Sequence, residues 1–150
     1  MPGLLIVHHS PTPRVAAIAA AVVRGGRTAA DEGVEVVERA ALDADATDLL
    51  GADAVILGTT ANFGYISGAL KHFFDTTFTQ THEQTRGLAF SYWIHGGHDT
   101  TGAEQAMRSI TTGYGFRLAA DPVVCVGDVD DAQLLRAEEL GASIAWGLTI

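Results

Sequence analysis

The strongest constraint on this chain is a repeated switch in the spacing of its apolar residues, from unbroken β-rich runs to helical periodicity and back. Leu4-Leu5-Ile6-Val7 is a continuous run, the signature of a strand covered on both faces. Val15, Ile18, Ala19, Val22 and Val23 then recur at helical spacing, with Gly25-Gly26 as the expected stop. Val34 to Val37 predicts a second strand, nearer a sheet edge because charges interrupt it, and Asp45 to Leu50 is short and weakly helical. Ala54-Val55-Ile56-Leu57 is another fully buried strand, expected to close at Gly58. Ile66, Leu70, Phe73, Phe74 and Phe78 line one helical face, and Leu88 to Ile94 reads as a strand ending at Gly96-Gly97. Thr101-Gly102-Ala103-Glu104 has the form of a capping box. Ala103, Ala106, Met107 and Ile110 form the inner face of the helix it opens, which Gly113 and Gly115 end. Pro122 to Val126 is the fifth strand, and Leu134, Ala137, Gly141, Ile144 and Leu148 stripe a last helix.

Strand followed by helix, five times over, predicts an α/β fold of three layers: a five-stranded parallel sheet with helices on both faces. Right-handed crossovers leave few topologies, of which 2-1-3-4-5 suits five strands. At 150 residues with no linker or low-complexity segment, residues 1–150 read as one domain. Eighteen acids against nine bases give a formal charge of −9, which disfavours nucleic acid and anionic membranes as partners. No apolar run approaches the roughly 18 to 20 residues that span a bilayer. The opening Met-Pro-Gly-Leu-Leu-Ile-Val lacks the basic region of a signal peptide, and the single Cys125 excludes an internal disulfide, so a cytoplasmic location is expected.

In such a sheet, ligands bind beyond the carboxyl ends of the strands, where the strand order reverses. The loops brought there are His8 to Arg14, Thr59 to Tyr65 and His95 to Thr100, all rich in Gly, Ser, Thr, Asn and His. In the first, Ser10, Thr12 and Arg14 stand before a helix N-terminus, whose free N–H groups and partial positive charge suit a phosphate. Thr12 before Pro13 is equally a plain N-cap with proline at the first helical position, and the two readings are compatible.

The second loop and its helix read Gly58-Thr59-Thr60-Ala61-Asn62-Phe63-Gly64-Tyr65-Ile66-Ser67-Gly68-Ala69-Leu70-Lys71-His72-Phe73-Phe74-Asp75. This stretch resembles the flavin-binding segment of the flavodoxin-like NAD(P)H-dependent reductases, including the tryptophan-repressor-binding-protein-like quinone reductases. Gly96-Gly97-His98-Asp99-Thr100-Thr101 is similar to their Gly-Gly-x-Glu-Thr-Thr segment, and Ser10 to Val15 stands where they carry a Ser/Thr-rich phosphate loop. The resemblance implies a flavodoxin-like fold that binds FMN. Ser10, Thr12, Pro13, Arg14 and Val15 would surround the phosphate. Thr60, Ala61, Asn62, Phe63 and Gly64 would run past one side of the ring, and Trp93, Ile94, His95, Gly96 and Gly97 would border its other edge. It also implies NAD(P)H as co-substrate, a quinone, flavin or similar small molecule as electron acceptor, and a homodimer. Pro13 stands where the family has Gly and Val15 where it has Thr or Asn. Pro11 and Pro13 each remove a backbone donor, so weaker FMN retention is expected.

Other side chains have plainer readings. His95 and His98 lack the third and fourth ligands a zinc site wants, so no metal is expected and loop hydrogen bonding accounts for them. Trp93 suits either ring stacking or the core, whereas Phe63, a loop aromatic, is the better pocket residue. Cys125 mid-strand reads as buried and inert, and Lys71 as a solvated face residue. A phosphoryl-receiver module is excluded, because His8-His9, Gly58-Thr59 and Gly127-Asp128 stand where it needs acids and a lysine. No G-x-G-x-x-G, P-loop or G-x-S-x-G elbow is present. An FMN reductase, a small flavodoxin-type electron carrier and a flavin-free interaction domain stay open at this point.

Overall fold

The computed structural model describes all residues, Met1–Ile150. Strands β1 (Gly3–His8), β2 (Glu35–Ala40), β3 (Ala54–Asn62), β4 (Tyr65–Ile66), β5 (Ala89–Gly96), β6 (Arg117–Leu118) and β7 (Val123–Val126) alternate with helices α1 (Pro13–Arg27), α2 (Ala46–Leu50), α3 (Gly68–Thr81), α4 (Thr101–Tyr114) and α5 (Asp131–Gly147). The sheet runs β2-β1-β3-β5, and both β6 and β7 pair with β5 on its far side. All these pairings are parallel. The order is the expected 2-1-3-4-5, with two differences in strand count. The fifth position is split in two around Ala119 to Pro122, where Pro122 cannot donate to the ladder. The third strand is longer than expected and folds back on itself as the antiparallel β3–β4 hairpin.

Consecutive residues of the central strands face opposite sides, and both sides are covered. Leu4, Ile6, Ile56, Trp93 and Cys125 face α1 and α5, whereas Leu5, Val7, Val55, Leu57 and Ile94 face α3 and α4. Each fully buried aliphatic or aromatic chain contributes roughly 1.5–3 kcal/mol relative to exposure, so the two apolar layers fix the register of the central strands. β2 is largely exposed, as its charges imply for an edge. Burial pushes the Cys125 thiol pKa up, which suits an inert core thiol.

Glycine produced the main corrections. Gly25-Gly26 does not stop α1: both residues lie inside the helix and are buried. A Cβ on Gly25 would sit 1.8 Å from the Glu138 carbonyl oxygen, and one on Gly141 would sit 2.0 Å from that of Val22. These glycines let the α1 and α5 backbones touch. Gly58 likewise does not end β3, because it leaves room beside Trp93, whose ring carbon would lie 2.1 Å from its Cβ. The expected capping box at Thr101 is not formed either. Thr100 is the N-cap and its hydroxyl donates to Glu104 at 2.8 Å, while Asp99 accepts from both the N–H and the hydroxyl of Thr101. Those two bonds hold the Asp99 pKa below the usual carboxylate value. Gly113 lies within α4, and Gly115, left-handed at φ 77°, ends it.

Gly141→Ala is expected to cost about 2–3 kcal/mol in urea denaturation, since backbone atoms must part to admit the methyl group. Gly113→Ala, with open space at its Cβ, is expected to stabilise by about 0.5–1 kcal/mol through helix propensity. Equal effects of the two substitutions would contradict the close α1–α5 approach.

Candidate functional site

β1 and β3 are neighbours, yet the chain leaves them on opposite faces, toward α1 and α3. Their carboxyl ends, with that of β5, open onto a cleft of about 590 Å3 lined by Pro11 to Val15, Thr60 to Asn62 and His95 to Gly97. That volume falls within the roughly 300–1,000 Å3 of small-molecule and cofactor sites. A second hollow of about 500 Å3, with Arg86 and Arg117, lies at the opposite edge beside the ends of α3 and α5. The partial negative charge of helix C-termini and the Asp53 carboxylate there oppose the two guanidinium groups.

The first wall is built by the turn into α1. Thr12 is extended (φ −128°) and its hydroxyl oxygen accepts the Val15 N–H at 3.4 Å, while its carbonyl accepts the Ala16 N–H at 2.9 Å. The N–H groups of Thr12 and Arg14 find no protein acceptor. The Thr12 hydroxyl hydrogen remains free to donate, so the donors left at this helix start suit an anion. Arg14 pairs with Asp128 at 2.8 Å; both are exposed, so the pair adds little stability and leaves the guanidinium at the cleft rim.

The second wall is the β3–β4 hairpin. β3 continues through Asn62 because the Thr59 hydroxyl donates to the Thr60 carbonyl at 2.8 Å and accepts the Ser67 N–H at 2.9 Å. This ties the strand end to the N-cap of α3, where Ser67 accepts the Leu70 N–H at 3.1 Å. Phe63 and Gly64, both at positive φ (50° and 77°), form the two-residue tip, the backbone pattern of a type I′ turn. Glycine is at home there; phenylalanine is not. Phe63 is fully exposed at the tip, so the fold keeps a strained aromatic in solvent beside the cleft. Gly102 on α4 lets the tip settle, since a Cβ there would lie 2.0 Å from the Gly64 carbonyl oxygen. The Thr60 hydroxyl oxygen, on a cleft-lining residue, is buried without a hydrogen-bond partner.

The third wall is the end of β5. His95 Nε2 bonds the Gly127 carbonyl oxygen at 2.7 Å, so His95 serves loop bonding, as expected. The N–H of Gly97 meets no protein acceptor, and its Cβ direction is open.

Of the residues expected at a site, Thr12, Pro13, Arg14, Val15, Thr60, Ala61, Asn62, His95, Gly96 and Gly97 converge on the cleft. Phe63 and Gly64 stand at the hairpin tip beyond its wall. Ser10 faces a neighbouring hollow instead, with His8 and Glu38. Trp93 and Ile94 do not reach the cleft: both are wholly buried, on opposite faces of the sheet. A central strand covered on both sides buries each of two consecutive side chains, which corrects their placement at a ring edge. Asp128, Gly127 and Glu38 join as partners of Arg14, His95 and His8. The loop after the fifth strand and the edge of β2 meet the site through topology, which no local motif signals.

The residues present fit a planar, phosphorylated ligand. Free donors gather at one helix start, glycines permit close approach, and the cleft between the walls has cofactor volume. Replacing Phe63 by Asn, which tolerates the left-handed region, is expected to stabilise the fold by about 1 kcal/mol in denaturant melts. A loss of stability would mean that the ring makes contacts the exposed tip does not suggest.

No protein-family model matches the chain, and no curated protein matches its sequence. Among solved structures it is similar to a flavodoxin from the domain Archaea, with a TM-score of 0.84, 19% identity and 99% of each chain covered. It is also similar to a WrbA-like flavodoxin from Agrobacterium tumefaciens, with a TM-score of 0.76, 18% identity and 99% of this chain and 98% of that one covered. The rubredoxin oxygen:oxidoreductase from Desulfovibrio gigas matches 97% of this chain at 18% identity and a TM-score of 0.81, over 36% of its own length. At these identities the likeness concerns architecture, and the chain has a flavodoxin-like α/β fold.

Proposed function

We propose that the chain is an FMN-binding oxidoreductase that moves electrons from NAD(P)H to a quinone, flavin or similar small acceptor. The observation that carries this reading is the convergence of three polar walls on one cleft of about 590 Å3 at the reversal point of the sheet. The N–H groups of Thr12 and Arg14 and the hydroxyl of Thr12 would hold the phosphate, with the Arg14 charge at the rim. The backbone of Thr60 to Asn62 and of His95 to Gly97 would flank the ring, the open Cβ direction at Gly97 allowing close approach. Bound FMN supplies hydride and single-electron chemistry, while protein donors near the ring set its potential. Phe63 at the tip would cover the ring and exclude water. Pro11 and Pro13 leave the phosphate fewer backbone donors, so retention on purification would be incomplete.

A second reading, a carrier that hands single electrons to partner proteins, is favoured by the net charge of −9, which would steer basic partners. Full-length similarity to a single-domain flavodoxin also supports it. The likeness to the WrbA-like protein and the Gly58 to Asp75 stretch support the reductase.

Quenching of FMN fluorescence on titration is expected to show saturable one-to-one binding of modest affinity, weakened at least about tenfold by Thr12→Ala, the loss of one hydrogen bond to a charged group. Turnover of NADH or NADPH with a benzoquinone is expected for the reductase. Bound FMN without turnover would instead leave the carrier, and absence of FMN binding would remove both.

A further inference from the structure

The positive end of α1 has no acid of its own. Its first turn holds Pro13, Arg14 and Val15, so a guanidinium stands where the helix dipole favours a negative charge. The carboxylate that meets this end comes from the loop after β7: Arg14 Nη2 donates to Asp128 Oδ1 at 2.8 Å. Arg14 makes no other ion pair.

Asp128 is held at this rim by its backbone and not by its side chain. Before it, Gly127 is fastened twice to the end of β5. Its N–H donates to the Gly96 carbonyl at 2.8 Å, and its own carbonyl accepts from His95 Nε2 at 2.7 Å. After it, Asp130 caps α5 by accepting the Gln133 N–H at 2.8 Å. His95 and Gly96 line the cleft, so the carboxylate is tied to the third wall while its partner, Arg14, belongs to the first. The Asp128 side chain is 97% exposed and makes no hydrogen bond but this one.

The pair is built to be exchanged. The guanidinium does not grip the carboxylate as a fork; a single N–H is engaged, between exposed groups, and such pairs contribute little. A phosphate monoester at the free N–H groups of Thr12 and Arg14 carries about −1.5 to −2 charges near neutral pH, more than a carboxylate. It is the better partner for the guanidinium. Asp128, fixed through its backbone, stays at the rim and repels the phosphate.

We propose that Asp128 is a specificity-determining residue of the cleft: its carboxylate competes with a ligand's phosphate for Arg14, and so limits the preference for phosphorylated over unphosphorylated flavin. The inference rests on the FMN reading of the cleft and deepens it. Beside the backbone donors missing at Pro11 and Pro13, this competition is a second physical cause of loose FMN retention, and one that a single substitution removes.

The test is a double-mutant cycle on flavin affinity. FMN and riboflavin are titrated by fluorescence quenching into the wild type, Asp128→Asn, Arg14→Gln and the double variant. Asp128→Asn is expected to tighten FMN by about three- to tenfold at low salt, the scale of one charge contact at a protein surface, and to leave riboflavin unchanged. Most of that gain should vanish in the Arg14→Gln background, and at about 1 M salt, where charges are screened beyond about 3 Å. Both side chains are exposed, so the variants are expected to fold as the wild type does. In the unaltered wild type, the Arg14 Nε–H NMR signal should move on addition of FMN and stay in place with riboflavin. FMN binding that Asp128→Asn leaves unchanged or weakens would overturn the competition and leave the FMN reading standing. An equal effect on both flavins would overturn it too, since it would mark a structural role. Failure of FMN and riboflavin alike to bind the wild type would overturn the two together.

Discussion

Two-sided burial of the parallel strands is the constraint on which everything else depends. β1, β3 and β5 are sandwiched between α1 and α5 on one face and α3 and α4 on the other. Parallel strands need crossovers, crossovers need helices, and those helices cover the faces. Every carboxyl end of the central strands therefore points the same way. The polar segments that could not enter the core collect at one edge, and the reversal between β1 and β3 opens the cleft between them.

The same packing reaches into the site. Gly58 opens a space for the Trp93 indole, and the indole approaches His8, which bonds Ser10 on one side and Glu38 on the other. A core aromatic thus helps to set the position of a polar group beside the cleft. The hairpin behaves similarly: Thr59 and Ser67 fasten its base, Gly102 receives its tip, and the strain of the tip falls on Phe63. A left-handed aromatic in solvent adds no buried contact to the fold that would offset its strain.

Legibility followed the physics of each residue. Leu4 to Val7 and Ala54 to Leu57 were readable as strands because burial on both faces leaves unbroken apolar runs, and strand order then followed from crossover handedness. Gly25, Gly26 and Gly58 read as stops in the sequence but lie inside their elements, because one property, a missing Cβ, serves both chain reversal and close approach, and a distant partner decides which operates. The family resemblance puts Trp93 and Ile94 at a ring edge, whereas two-sided burial takes both into the core. The polar walls at Thr12 to Val15 and Thr60 to Asn62 were legible as hydrophilic loops after apolar runs, although the second proved to be a strand turning back. Glu38 and Asp128 reach their partners through the pairing of β2 with β1 and the path of the chain after β7, which no local pattern carries.

The central claim is that one planar, phosphorylated ligand occupies the cleft between the carboxyl ends of β1, β3 and β5. Amide chemical-shift mapping with added FMN tests it most directly, because it reports location residue by residue. The account predicts perturbations concentrated at Thr12 to Val15, Thr60 to Gly64 and His95 to Gly97. Shifts clustered instead around Arg86 and Arg117 at the opposite edge, or no localised shifts at saturating FMN, would contradict it.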